Sequence, residues 1–179
     1  MPTVLAILAD GFEEIEAITP IDLLRRAGVE VTIAAIGEGI HVTGKVGLIM
    51  HADVALTTVG VRVFDCVFLP GGPGVALLRQ SVLVREIVQR QNDATRLIAV
   101  ICAAPLVLLD AGVLHSRRYT AHFSTADEFP DILVNERVVT DGHIITSRGA
   151  GTALDFGFSM VENLCGRDIS QKVAQSICA

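Results

Sequence analysis

A cysteine, Cys102, stands where the unbroken apolar run Leu97-Ile98-Ala99-Val100-Ile101 ends and Ala103-Ala104-Pro105 begins. The run reads as a strand buried on both faces. Pro105 suits the first turn of a helix, where its missing N–H deprives no intrahelical bond, and Leu106, Leu109 and Asp110 carry the helical pattern on. A sulfur at such a turn projects above the carboxyl edge of a sheet, in the manner of a nucleophile elbow. The N–H groups and dipole of the helix start favour thiolate over thiol. Cys102 is therefore expected to be nucleophilic and to alkylate at mildly acidic pH, ahead of Cys66, Cys165 and Cys178. Read structurally, the same residue is a small apolar filler of a strand end, the commoner fate of a free cysteine.

A thiol nucleophile needs a proton partner and a cradle for a developing oxyanion. Glu13, Glu14 and Glu16 open a helix. Dipole complementation accounts for two of the three. Glu16, beside Ile15, Ala17 and Ile18, falls on the sheet-facing side, where burial raises a carboxyl pKa. Such a group donates a hydrogen bond to a thiolate when neutral and serves as a base when ionised. Gly71 and Gly72, within Pro70-Gly71-Gly72-Pro73-Gly74, read either as a turn or as backbone N–H groups brought up to a substrate oxygen. Of five histidines, only His122 follows an extended piece downstream of Cys102. It reads equally well as structural or as a partner of the cysteine. The histidines lack metal-ligand spacing. The Gly149-Ala150-Gly151 pair has Leu154 where a dinucleotide fingerprint needs its third glycine. Neither a metal nor a cofactor is expected.

The elements that must position these residues follow from the hydrophobic pattern. Thr3 to Leu8 reads as a first buried strand, Ile15, Ile18, Ile21 and Leu24 as the stripe of a helix that Pro20 bends or shortens, and Val29 to Ala35 as a second strand. His41 to Thr43 and Leu48 to Met50 read as a hairpin inserted on the sheet edge. Phe64 to Leu69 is a further strand, and Leu83, Val84, Ile87 and Val88 pattern the helix after it. Tyr119 to His122 is extended, Val138 to Thr140 and Ile144 to Ser147 flank an Asp141-Gly142 turn, and two helices close the chain. Gly157, in the first of them, permits close approach of a neighbour. The expected architecture is a three-layer α/β/α sandwich with a mostly parallel central sheet, in one domain spanning 1–179. Ligands in such folds sit beyond the carboxyl ends of strands, where the loops at Ala9–Glu16, Pro70–Gly74 and Ile101–Pro105 all fall.

Composition narrows the function classes. Of 179 residues, 51% are hydrophobic and 4% aromatic, which suits an aliphatic core around a parallel sheet. A net charge of −6 argues against nucleic acid as the main partner. Four scattered cysteines form no C-x-x-C pair, so free thiols in a reducing compartment are expected. The amino end runs straight into Asp10 and Glu13 and reads as a strand rather than a signal peptide, and no apolar run reaches membrane length. The expectation is a soluble, cytoplasmic protein.

Four blocks carry a resemblance: Asp10-Gly11-Phe12-Glu13-Glu14-Ile15-Glu16, Leu69-Pro70-Gly71-Gly72, Ala99-Val100-Ile101-Cys102-Ala103-Ala104-Pro105 and Thr146-Ser147-Arg148-Gly149-Ala150-Gly151-Thr152. In order and along essentially the whole chain, they look like the signature of the ThiJ/PfpI superfamily. The resemblance is to the branch of the parkinsonism-associated protein and its bacterial ThiJ-like relatives. It implies a flavodoxin-like fold and a homodimer. It also implies that Cys102 is the reactive cysteine, Glu16 the acid beside it and His122 the nearby histidine. Gly71, Gly72 and Ala103 would line the site with backbone, and Arg26 and Arg148 would lie near the dimer interface or site rim. The implied chemistry is cofactor-free action on reactive dicarbonyls, as a glyoxalase or a deglycase of glycated substrates. The other reading is a cysteine-based sensor of oxidative stress or a redox-regulated chaperone. Two departures bear on this. Ala104 replaces a glycine common in the motif, and Ala103 stands where the protease-like branch has a histidine, so peptidase activity is not expected. The chain stops at Ala179, short of that branch's additional carboxyl-terminal helix, which implies a less covered site.

Overall fold

The computed structural model describes residues 1–37, 39–129 and 131–179. Strands β1 (Thr3–Leu8), β2 (Glu30–Ala35), β5 (Val54–Ala55), β6 (Cys66–Leu69), β7 (Leu97–Ile101), β8 (Val138–Asp141) and β9 (Ile144–Ser147) form one sheet in the order β5-β2-β1-β6-β7-β9-β8. Every pairing in it is parallel except β8 with β9. β1, β6 and β7, the apolar runs of the sequence, lie in the middle, where both faces must be covered. Helices α2 (Val75–Gln80), α3 (Val82–Asp93) and α4 (Pro105–Asp110) pack on one face, over Leu5, Ile7, Val67, Leu69 and Val100. Helices α1 (Glu14–Arg26), α5 (Ala153–Cys165) and α6 (Arg167–Ser176) cover the other, over Val4, Ala6, Leu8, Phe68 and Ile101. The result is the three-layer, mostly parallel sandwich expected.

Several local expectations change. Pro20 lies inside α1 without ending it. The buried side of that helix is Ala17, Pro20, Ile21, Leu23 and Leu24, whereas Ile15 and Ile18 are 53% and 40% exposed. α1 rotates this way because Pro20 and Leu23 seat against Gly157 of α5, where an added Cβ would lie 2.5 Å from Leu23 Cδ1 and 3.3 Å from Pro20 Cα. The hairpin, β3 (His41–Thr43) with β4 (Ile49–His51), is a separate two-stranded sheet and not an edge of the main one. The main-sheet edge is instead β5, too short to stand out in the sequence. α2 is likewise a single short helix that the pattern does not announce. Tyr119 to His122 forms no strand; its backbone is anchored by side chains and neighbouring loops.

Two ties hold the layers where the site will form. Glu14 is buried, and its Oε1 accepts from the backbone N–H groups of Val46 (2.9 Å) and Leu48 (3.4 Å), pinning the hairpin to the start of α1. Its role is thus tertiary as well as dipolar. Arg79, ending α2, forks to Asp110 at 2.6 and 2.9 Å and to Glu128 at 2.8 and 3.0 Å. That fork joins the end of α4 to the loop following His122, with bidentate geometry that an Arg–carboxylate pair exploits.

Candidate active site

The three expected loops meet at the carboxyl edge of β1, β6 and β7. Cys102 follows β7 directly with φ of 66°, a left-handed conformation that a non-glycine residue adopts at a cost of about 1–3 kcal/mol. The surrounding backbone holds it there. Its N–H donates to Ser147 O (2.9 Å), and its carbonyl accepts from the His122 N–H (2.8 Å). Pro105 occupies the first position of α4 as anticipated.

Glu16 reaches the same point from α1. It is 1% exposed, and its Oε2 accepts from the Gly71 N–H at 2.9 Å. Glu13, capping α1, accepts from the Glu16 N–H at 2.9 Å and so fixes the backbone from which the carboxyl projects. Gly71 has to be glycine for reasons of space. A Cβ there would lie 2.5 Å from both Cys102 Cβ and Glu16 Oε2, and 3.0 Å from the sulfur. Gly72 has φ of 92° and backs onto the Gly11–Glu13 loop, which the Glu13 N–H ties to Gly71 O at 3.0 Å.

The ionisation of the pair departs from the sequence-based expectation. Burial pushes the Cys102 thiol up to about 12, reinforced by the charge of Glu16 and the contact with it. The N–H groups of Gly72 and Ala103 act on the sulfur in the opposite sense and do not prevail. Burial likewise raises Glu16 from 4.5 to about 7, against the Cys102 contact, the Gly71 N–H and Lys45, which lower it. The two groups therefore lose a first proton near neutrality and hold a second one between them far into the alkaline range. The sequence shows the N–H donors and the candidate carboxyl beside the sulfur, but not how deeply the sulfur itself is buried, which is the largest effect. Cys66, fully buried in β6, is raised further by burial.

His122 lies at the same opening. Its Nδ1 accepts from the Ser124 N–H at 3.3 Å and sits 2.8 Å from Ser124 Oγ, which leaves the proton of the neutral ring on Nε2. Burial, and then Lys45, lower its pKa and keep it neutral. A cavity of about 380 Å³ is lined by Glu16, Gly72, Cys102, Ala103, His122 and, from the hairpin, Lys45. A second cavity of about 360 Å³ shares His122 with it and includes Arg148 and Arg137. Arg148 lines this adjoining space and not the Cys102 cavity itself. Arg26 is not brought to the site. It ends α1, about 15 Å along the helix from Glu16, paired with Asp22 at 2.7 Å. Lys45 and Ser124 were missed: their approach depends on how the hairpin and the His122 loop dock, and no local motif signals it. Among the described residues, no group of three or more His, Cys, Asp or Glu is placed to hold a metal ion.

A sandwich with a strained cysteine after its central strand, facing a buried glutamate and a glycine loop, defines a class. The DJ-1/PfpI family model matches residues 2–163, and the chain belongs to that family. It is similar to Protein dj-1beta of Drosophila melanogaster, at 38% identity over 97% of this chain and 95% of that one. The crystal structure of that relative superposes with a TM-score of 0.96, covering 99% of this chain and 98% of that one, at 37% identity. A Caenorhabditis elegans relative named glutathione-independent glyoxalase DJR-1.2 is 34% identical over 93% of this chain and 90% of that one. The flavodoxin-like fold of the family is therefore the fold of this chain.

Proposed function

We propose that the protein is a cofactor-independent cysteine enzyme acting on small reactive dicarbonyls, converting methylglyoxal to lactate and, through the same chemistry, reversing early glycation adducts. The observation that carries this reading is the buried Glu16 carboxyl against the Cys102 sulfur, raised to about 7 and so poised to take and return protons at neutral pH. The name of the Caenorhabditis elegans relative supports the same substrate class.

In the proposed sequence, the Cys102 thiol adds to the aldehyde carbon. A carbon–sulfur bond forms as the carbonyl π bond opens, and the thiol proton passes by way of the Glu16 carboxylate to the former aldehyde oxygen, giving a hemithioacetal. Glu16, once more ionised, removes the proton on that carbon to give an enediolate, and reprotonation at the neighbouring carbon leaves a 2-hydroxyacyl thioester. One carbon is oxidised and its neighbour reduced, so no external redox partner enters. Water then cleaves the thioester to lactate and the free thiol. The N–H groups of Gly72 and Ala103 and the Nε2–H of His122 are donors for the charged oxygens. With its Nδ1 already engaged by Ser124, His122 suits donation better than base catalysis. Glycation adducts on cysteine, lysine and arginine enter the same scheme, since consuming free dicarbonyl drives labile adducts back.

Lactate formed from methylglyoxal by the purified protein is expected to fall to the buffer rate in Cys102→Ser, with adduct decay in buffer subtracted. Equal lactate production by the two proteins would remove the cysteine, and with it this reading.

The assembly proposed is a homodimer. Ile15 and Ile18 of α1, with Val46, Leu48 and Ile49 of the hairpin, leave an exposed apolar surface of a kind that marks a contact site. Sedimentation should give a dimer for the wild type and a monomer for Ile18→Glu; a wild-type monomer at micromolar concentration overturns the assignment. Four free thiols suit a reducing cytoplasm as the place of work, and no helix among the described residues is long and apolar enough to cross a membrane.

A further inference from the structure

A third cavity of a different character lies at the opposite, amino-terminal edge of the sheet, between β1, β6 and the end of α3. Its volume is about 190 Å³. The interior is mostly apolar: Leu5, Phe64, Val67 and Ile87 line it, each no more than 4% exposed on the molecular surface, with the buried Gln91 amide as the polar group among them. The mouth is basic. Arg62, Arg90 and Arg96 belong to the lining, the first two exposed and the third half-buried, and no acid is among the lining residues. In a chain of net charge −6 with 14 basic residues in all, three arginines around one small opening are a local reversal of sign.

All three guanidinium groups are held, and two of them, Arg62 and Arg90, are not neutralised by a carboxylate among the described residues. Arg62 lies over the Phe64 ring, 5.1 Å from its centroid. Arg90 donates to Gly60 O at 3.4 Å, and Arg96 to Phe64 O at 3.5 Å. Arg96 has Asp65 at 3.7 Å, while Arg62 and Arg90 have no carboxylate partner among the described residues. Each of these two uses at most one of the five donors a guanidinium carries. Val63, another lining residue, is 63% exposed at the same opening and adds an apolar lip.

We infer that this cavity is a binding site for a small organic carboxylate with a short apolar body. The body would enter among Leu5, Val67 and Ile87, and the carboxylate would take the free donors of Arg62 and Arg90, a planar match that guanidinium makes bidentately. Size sets the upper limit. The space equals about six waters at ~30 Å³ each and is smaller than the ~300 Å³ at which pockets for drug-sized ligands begin. A chain of five to eight carbons is therefore the class that fits. The site is independent of the Cys102 chemistry, which lies beyond the other end of the strands.

Hexanoate and hexanamide serve as probes on the full-length protein with 13C-labelled methyl groups. Hexanoate is expected to shift the Ile87 and Val67 methyl resonances saturably, with hexanamide about tenfold weaker or more, the cost of losing a charge-assisted hydrogen bond. The double variant R62Q/R90Q should lose the preference for the acid, while its Cys102 alkylation rate stays that of the wild type. Absence of saturable shifts at Ile87 and Val67, or equal affinity for acid and amide in the wild-type protein, overturns the site. Shifts confined to the Cys102 cavity do the same.

Discussion

Glu16→Gln is expected to lower dicarbonyl turnover by roughly two to four orders of magnitude, the range for a positioned acid–base group. The amide keeps the size of the carboxyl and can donate a hydrogen bond, but it cannot accept and return a proton. Alkylation separates this effect from a damaged thiol. In the wild type, iodoacetamide labelling of Cys102 should show an inflection near pH 7, where the pair loses its first proton. In Glu16→Gln that inflection disappears and the rate rises in a single alkaline step. Buried Cys66 should stay unlabelled in the native protein throughout. Stability should move the opposite way to activity. Glu16 is raised from 4.5 to about 7 by burial, so the folded state binds more protons than the unfolded state in that window. Stability therefore falls as pH rises through it, by about 3 kcal/mol at the limit. Glu16→Gln should unfold at higher urea than wild type at pH 8, and the advantage should shrink toward pH 5. Normal turnover in the variant would remove Glu16 from the mechanism. Loss of selective sulfinate formation, with no cysteine-dependent turnover in wild type, would favour the oxidative sensor instead.

Gly71→Ala should be nearly as damaging without touching an ionisable group. Its φ is not in the left-handed region, so the effect is one of space alone. The added methyl overlaps Cys102 Cβ and Glu16 Oε2, both 2.5 Å away. Sulfur and carboxyl must separate, and a misplacement of about 1 Å is worth on the order of 100-fold in rate. Gly151→Ala is the control, since nothing lies within 4 Å of a Cβ there. Turnover in Gly71→Ala within twofold of that control would mean that the pair does not need its present spacing.

The elbow was legible in the sequence because two independent signals coincide at it: an unbroken aliphatic run and a proline at the first helical position. Convergence of the three loops followed from the parallel sheet, since strand ends of one polarity share an edge. The helix face was not legible in the same way. Ile15 and Ile18 are as aliphatic as Ile21, and only the fit of Pro20 and Leu23 to Gly157 decides which residues face inward. Glu14 and Lys45 depended on a hairpin whose docking is tertiary. The influences on the thiol were only partly legible, for a related reason. N–H donors can be inferred from a helix start, whereas the depth of burial beside a carboxylate becomes visible only once the layers are assembled.

Both backbone groups of Cys102 are held by partners made later than the cysteine itself, His122 and Ser147. During synthesis the chain therefore carries, for the time needed to make 45 further residues, a thiol that has β7 behind it but not yet both clamps in place. Without β9 beside β7, the Cys102 N–H lacks its Ser147 carbonyl, and the left-handed turn loses one of its two backbone ties. The clamped geometry of the cysteine arrives together with β9. The doubly tied cysteine is consequently a report on completed folding: a fragment ending before Ile144 can contain Glu16, Gly71, Cys102 and His122 and still lack the Ser147 tie.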